Sequence, residues 1–433
     1  MKTFKIFESI SKNSFIKQSL GTLALRIFGV VLLFGFTVFL TKSYSPKLIG
    51  QYDFVRSYLL AVGSICLLGF DQSILYFKGR LASQNEQRQL KKVYLKMVGM
   101  LFLTSLLILV VFLLIDKKRI NAYFLDDEVY VILLKSSILL FFHGLSLLNT
   151  EVFRALDKLY VAELFRNIIK YVPLIMGSML LFYLHLETYL VDVFLIGFVF
   201  LALISSILVF IYFNKTETVS EEIFNSKHIF VKSYPMAISG MAMFLLMSFD
   251  IMFLKKYQND ETVAFYSIGV KIMTIVSVII LTINITVSAK IAEFFSNKNW
   301  IELKKTLRNS ARLIFCIGFP VIFLICVFSE HVLSLFGQQY IIAQKSFLIL
   351  IIGQGICSLF GSAPVYLNMT GRQHIFQIIL IGAVIINFIL NRFLIPVYGM
   401  TGAAFAFFSS SFFWNFVSAV VIYKKDKIKI FLH

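Results

Sequence analysis

The feature that most constrains this chain is a succession of apolar runs, each about 20 residues long, separated by short polar stretches. A helix rises about 1.5 Å per residue and the hydrocarbon core of a bilayer is about 30 Å thick, so each run is long enough to cross a membrane. Within lipid, only helices and closed barrels satisfy their own backbone groups. Continuous apolar runs lack the alternation of a barrel strand, which leaves helices. On these terms, spans fall near 19–41, 55–77, 93–115, 129–150, 164–184 and 188–213, and again near 230–254, 263–286, 311–328, 341–365, 375–396 and 401–423. Composition agrees: 59% of residues are hydrophobic and 15% charged, against about 45–50% and about 25% in soluble domains. The expectation is an all-α integral membrane protein of about twelve transmembrane helices.

The net charge of +18 invites a nucleic-acid reading. The cations, however, lie in short loops between apolar runs, the pattern that orients a membrane protein, so no nucleic-acid partner is expected. Alternate loops hold 25 Lys and Arg on one side and 9 on the other. By the positive-inside rule both termini are expected in the cytoplasm. No cleavable signal peptide is expected, because Met1 to Gln18 is polar and basic and the first apolar run is long enough to span. Cys66, Cys316, Cys326 and Cys357 all sit in apolar runs without a paired spacing, so no disulfide, metal or cofactor is expected.

The polar stretch after Asn214 divides the spans evenly, which sets expected domains at 1–213 and 230–433 with a cytoplasmic linker at 214–229. The halves match locally. Phe39-Leu40-Thr41-Lys42 aligns with Phe253-Leu254-Lys255-Lys256, and the same offset brings Ile49-Gly50-Gln51-Tyr52 onto Val263-Ala264-Phe265-Tyr266. An even number of spans per half makes this a parallel repeat: two six-helix bundles related by a pseudo-twofold axis around a central cavity, as in alternating-access transporters.

Several stretches carry a family likeness: Phe249-Asp250-Ile251, Val263-Ala264-Phe265-Tyr266-Ser267, Leu335-Phe336-Gly337 with Tyr340, and Asn387 and Asn391 followed by Leu394-Ile395-Pro396-Val397-Tyr398-Gly399-Met400-Thr401-Gly402-Ala403-Ala404. In these the chain resembles the bacterial polysaccharide (O-antigen-type) flippases of the multidrug/oligosaccharidyl-lipid/polysaccharide exporter superfamily. The resemblance implies export of an undecaprenyl-pyrophosphate-linked glycan, an O-antigen or exopolysaccharide unit of lipopolysaccharide or a related polymer, to the periplasmic leaflet. It also implies the lipid bilayer and other polysaccharide-assembly membrane proteins as partners.

A charge at mid-bilayer costs about 2.5–3.5 kcal/mol, so such residues usually face a wet cavity. The span assignments place Arg26, Lys135, Arg166, Lys170 and Lys271 inside helices, with Asp71 and Asp250. Arg166 and Lys170 are four apart and are expected on one helix face. The excess of cations suits a diphosphate head group, for which Arg offers a planar fork. All five are candidate substrate-binding residues, although Lys135 can equally snorkel to the outer surface. Asp71 and Asp250 are candidate ion-coupling residues, or partners of a nearby cation. Asn387 and Asn391 are expected to tie helices together, and His143, within the fourth span, to pack by hydrogen bonding rather than relay protons. Pro173, Pro320 and Pro364 are expected to kink their spans. Residues 290–312 read as an amphipathic helix at the anionic inner leaflet. The alternatives are a cation-coupled small-molecule or multidrug antiporter of the same superfamily and, less expected, a membrane enzyme of polysaccharide assembly. No G-x-S-x-G, P-loop or H-E-x-x-H pattern occurs, and the outer loops at 116–128 and 329–345 are short.

Overall fold

The computed structural model of the chain describes residues 14–83, 89–213 and 224–431, and these are helical with short turns. Most of the expected linker, 214–223, lies outside the described residues. Ten helices are long and apolar enough to cross a membrane, and a bent pair, Val129–Ile138 with Leu140–Ala155, makes an eleventh span.

The twelfth is hidden in the last helix, Gln373–Asp426, which runs for 54 residues. Straight, it would extend about 80 Å, well over twice the hydrocarbon thickness. Yet Arg372, just before its start, pairs with Asp426 at its end, Nη2 to Oδ1 being 2.7 Å. Midway, Gly399 takes a φ of 54° that interrupts the helix, a conformation glycine adopts without a Cβ penalty. Asn387 bonds Ser410 across the turn, and Phe376 packs edge-on against Trp414. The stretch is therefore a hairpin of two antiparallel spans, and the chain holds twelve among the described residues.

Breaks within spans follow from local chemistry. The second span is Pro46–Leu67 and Phe70–Ser83, separated by Leu68 and Gly69 with φ of 51° and 74°. A Cβ on Gly69 would lie 2.5 Å from the backbone nitrogen of Ala237, so glycine also permits close helix approach there. The fifth span divides into Leu159–Asn167 and Val172–Tyr183 around a 3-10 turn at Ile169–Tyr171. Pro173 sits in the first turn after that break, and Pro364 likewise opens Ala363–Met369. There the missing N–H costs no helix bond. Of the three prolines expected to kink, only Pro320 lies inside a continuous helix.

The ninth span is also longer than expected. Residues 290–296 belong to Asp260–Ser296, and 300–312 run on into Trp300–Val327 as one helix, capped by Asn299 accepting from the Glu302 N–H. The expected separate surface helix is thus absorbed into two spans. Its apolar face, Leu303 and Leu307, is buried in a core with Tyr366, Leu380, Ile422, Ile428 and Ile430, while Lys304, Lys305 and Arg308 stay exposed.

By contact the chain groups into two compact units. One takes the described residues up to Ser43 with Val62–Ala122 and Asp126–Gly240; the other takes Tyr44–Ala61, Tyr123–Leu125 and the described residues from Met241. In the second, the starts of the second and eighth spans meet closely enough that a Cβ on Gly50 would fall 1.8 Å from the Asp260 carbonyl oxygen. The matched repeat positions behave alike: Ile49 and Val263 are fully buried, and so, nearly, are Tyr52 and Tyr266.

Candidate functional site

Several charged side chains within spans are built into ion pairs in each unit. In the first unit, Arg26 on Ser14–Ser43 faces Glu163 on the fifth span, its Nε 2.9 Å from Oε2 and its Nη2 on Oε1. This is the fork geometry that suits arginine to a two-oxygen anion. Asn167, one turn on, donates to the same Oε2 at 2.9 Å. Arg166 pairs with Glu151 at the end of the fourth span, and Glu151 also accepts from Arg154 at 2.9 Å. One carboxylate thus serves two guanidinium groups.

Lys170 does not share a face with Arg166 as expected. The α-helix ends at Asn167, so Lys170 falls in the 3-10 turn, where its ammonium lies 4.7 Å from the ring centre of Tyr171. Lys135, half-exposed, bonds Asp192 at 2.6 Å. Asp71 lies in the first turn of Phe70–Ser83, where the free N–H groups of a helix start favour a negative charge. His143 is buried against Phe198, ring centres 4.7 Å apart, and its Nδ1 has no hydrogen-bond partner.

In the second unit, Lys271 on the eighth span bonds Asp53 on the second at 2.8 Å, with side chains 6% and 1% exposed. Arg56, one turn beyond Asp53, brings a guanidinium nitrogen to 3.6 Å from its other oxygen. Tyr52 places its ring 5.5 Å from the Lys271 ammonium. Here too one carboxylate stands between two cations.

A second cluster surrounds Asp250, 2% exposed on the seventh span. Its Oδ1 accepts from Asn387 at 3.1 Å and Asn391 at 2.7 Å, and its Oδ2 from the Tyr266 hydroxyl at 2.9 Å. Asn387 reaches Ser410 at 3.3 Å, and Asn391 donates to Asn387 Oδ1 at 3.0 Å. The two asparagines tie the seventh, eleventh and twelfth spans together through one carboxylate. Asn391 Oδ1 remains buried without a donor. The site so formed holds a buried carboxylate met by three donors, two amides and a hydroxyl.

The structure therefore brings Arg26 and Arg166 into one unit and Lys271 and Asp250 into the other, and places Lys135 toward a more exposed position. Sequence reasoning missed Asp53, Glu151 and Glu163. Each lies just outside the boundary assigned to its span, where a carboxylate is read as a loop charge. Arg56 and Tyr266 were missed for a similar reason, one assigned to a span edge and the other read only as a repeat position.

Comparison with known proteins follows the same lines. The family model described as "Polysaccharide biosynthesis protein" matches residues 12–289, and the one described as MatE matches 235–393. No curated protein sequence matches the chain. Among solved structures, the chain is similar to the lipid II flippase MurJ in an inward closed conformation, with a TM-score of 0.73, 15% identity, and 94% of this chain and 87% of that one covered. It is similar to an inward-facing multidrug resistance MATE family transporter of the MOP superfamily, at 0.70, 12%, 94% and 99%. It is also similar to a MOP superfamily transporter from Pyrococcus furiosus, described as having a binding pocket of reverse polarity, at 0.65, 13%, 93% and 92%. Likeness at these identities establishes the fold, that of MOP superfamily transporters.

Proposed function

Because this chain belongs to the polysaccharide biosynthesis protein family and carries the MOP superfamily transporter fold, we propose that it flips a polyprenyl-diphosphate-linked oligosaccharide across a bacterial inner membrane. Alternating access moves an O-antigen or exopolysaccharide unit from the cytoplasmic to the periplasmic leaflet, with both termini cytoplasmic and the polyprenyl tail left in lipid. The halves 1–213 and 230–433 serve as the moving bundles.

One observation carries this reading: both units hold cations within spans, each set on a carboxylate that a stronger anion can replace, with Arg26 on Glu163. Asp53 is shared by Lys271 and Arg56, and Glu151 by Arg154 and Arg166. A diphosphate offers such cations more acceptor oxygens and more charge than a carboxylate does. Arg26, Arg166, Lys170 and Lys271 are proposed to contact the head group, with Lys135 at the outer end. Asp250 is proposed to couple transport to a cation, with Asp71 as the corresponding candidate in the first unit.

Charge reversal at Arg166 places two carboxylates side by side and removes a cation from the cluster. Arg166→Glu is expected to abolish surface glycan while membrane levels of the protein stay normal, read by glycan staining and immunoblot of membranes. Wild-type glycan in this variant would remove Arg166 from the passage.

The MatE match over 235–393, which contains Asp250, favours a second reading, a cation-coupled antiporter of small organic molecules. The two separate in a deletion strain: loss of surface glycan without sensitivity to cationic drugs supports flipping, and the reverse pattern supports antiport.

A further inference from the structure

Asp53 keeps one carboxylate oxygen, Oδ1, without a hydrogen bond. It is 1% exposed, and buried carboxylates ordinarily have their lone pairs satisfied. Two donors nearby are equally unmet. The Tyr340 hydroxyl is buried without a partner and lies within electrostatic range of Asp53. The Ser267 hydroxyl, one helical turn before Lys271, is buried without a partner as well. Around Lys271 the protein therefore places a carboxylate with one oxygen unmet and two hydroxyl groups without partners.

A carboxylate fills this seat incompletely. A diphosphate group has more acceptor oxygens and more charge, and would meet the donors that Asp53 leaves idle. We propose that Asp53 is an internal stand-in for the cargo's anionic head group: it neutralises Lys271 when no cargo is bound and is displaced when a diphosphate arrives. The inference rests on the flippase reading and adds to it a device at the same site. The empty transporter keeps its cations balanced in a dry interior, where an unpaired charge is costly. The returning carboxylate then competes with the head group and promotes its release on the far side. Asp53 thus acts as a positioning and exchange residue, trading affinity for turnover.

The test is pyrophosphate binding by full-length protein in lipid nanodiscs, with glycan export measured in cells. Asp53→Asn keeps the size of the side chain and removes the competitor. Its affinity for pyrophosphate is expected to rise about tenfold, since an anion no longer opposes binding at the same cations, while export slows through retarded release. Adding Lys271→Gln should cancel the gain, which a merely structural role of Asp53 would not produce. Affinity in Asp53→Asn equal to or below that of the wild type overturns the proposal. Should Asp53→Asn fold poorly, Arg56→Gln leaves the buried pair whole: weaker pyrophosphate binding is expected, and unchanged binding overturns the proposal. The flippase reading fails separately, by intact surface glycan in a deletion strain. Unchanged affinity in Asp53→Asn, together with glycan loss on deletion, rejects the stand-in alone.

Discussion

Replacing Asp250 with asparagine is expected to leave the fold near its wild-type stability and to uncouple transport from its driving ion. The two properties separate because of how the carboxylate is held. Asn387, Asn391 and the Tyr266 hydroxyl all donate to it, so alanine there would strand three buried donors, each at about 1–3 kcal/mol. Asparagine retains the volume and one acceptor oxygen, and loses mainly the charge. Its thermal midpoint should fall modestly, while that of Asp250→Ala falls by far more. A hard cation needs the negative oxygen as well as the neutral ones, since site affinity follows ligand charge. Export by Asp250→Asn should therefore become insensitive to the sodium and proton gradients imposed on cells or vesicles. If Asp250→Asn retains the ion dependence of the wild type, Asp250 is a helix tie alone.

Arg26→Glu is expected to end export altogether, and the reason can be separated from the loss of a salt bridge. The substitution sets a carboxylate against Glu163, which currently receives both arms of the guanidinium and the Asn167 amide. Two apposed carboxylates in a partly buried site destabilise by repulsion and desolvation. The charge swap Arg26→Glu with Glu163→Arg rebuilds an ion pair in the same place. If the pair only braces the first span against the fifth, the swap restores both stability and export. On the present account it restores the thermal midpoint but not export, because the cation has moved from the first span to the fifth. Full recovery of surface glycan in the swap would make the pair structural.

The twelve spans were legible because apolar runs of this length have one economical solution in lipid. The repeat was legible at the turns entering the second and eighth spans, where Ile49 with Val263 and Tyr52 with Tyr266 occupy like positions. What hydropathy could not reveal was how spans are interrupted. Leu68 in a left-handed conformation breaks the second span, yet nothing in a leucine signals a φ that leucines avoid. The break at Ile169–Tyr171 likewise undid the shared face of Arg166 and Lys170, since four-residue spacing places side chains together only while the helix continues. The ion pairs were illegible for a related reason. Asp53, Glu151 and Glu163 sit at span ends, where a sequence reading assigns charges to water. The helices extend past those ends and carry the carboxylates back to the cations. The amphipathic pattern at 290–312 was genuine, but its apolar side meets Tyr366, Ile428 and Ile430 rather than lipid.

The central claim is that cations held on carboxylates within the membrane serve an anionic, lipid-linked cargo. Its most direct test is reconstitution of the purified chain in liposomes carrying a polyprenyl-diphosphate oligosaccharide in one leaflet, followed by the rate at which the glycan becomes accessible on the other side. The account predicts acceleration over protein-free liposomes, with Lys271→Gln and Arg26→Glu close to the protein-free rate and no movement of an organic cation such as rhodamine 6G. Transport of the organic cation, with the glycolipid left in its original leaflet, would contradict it.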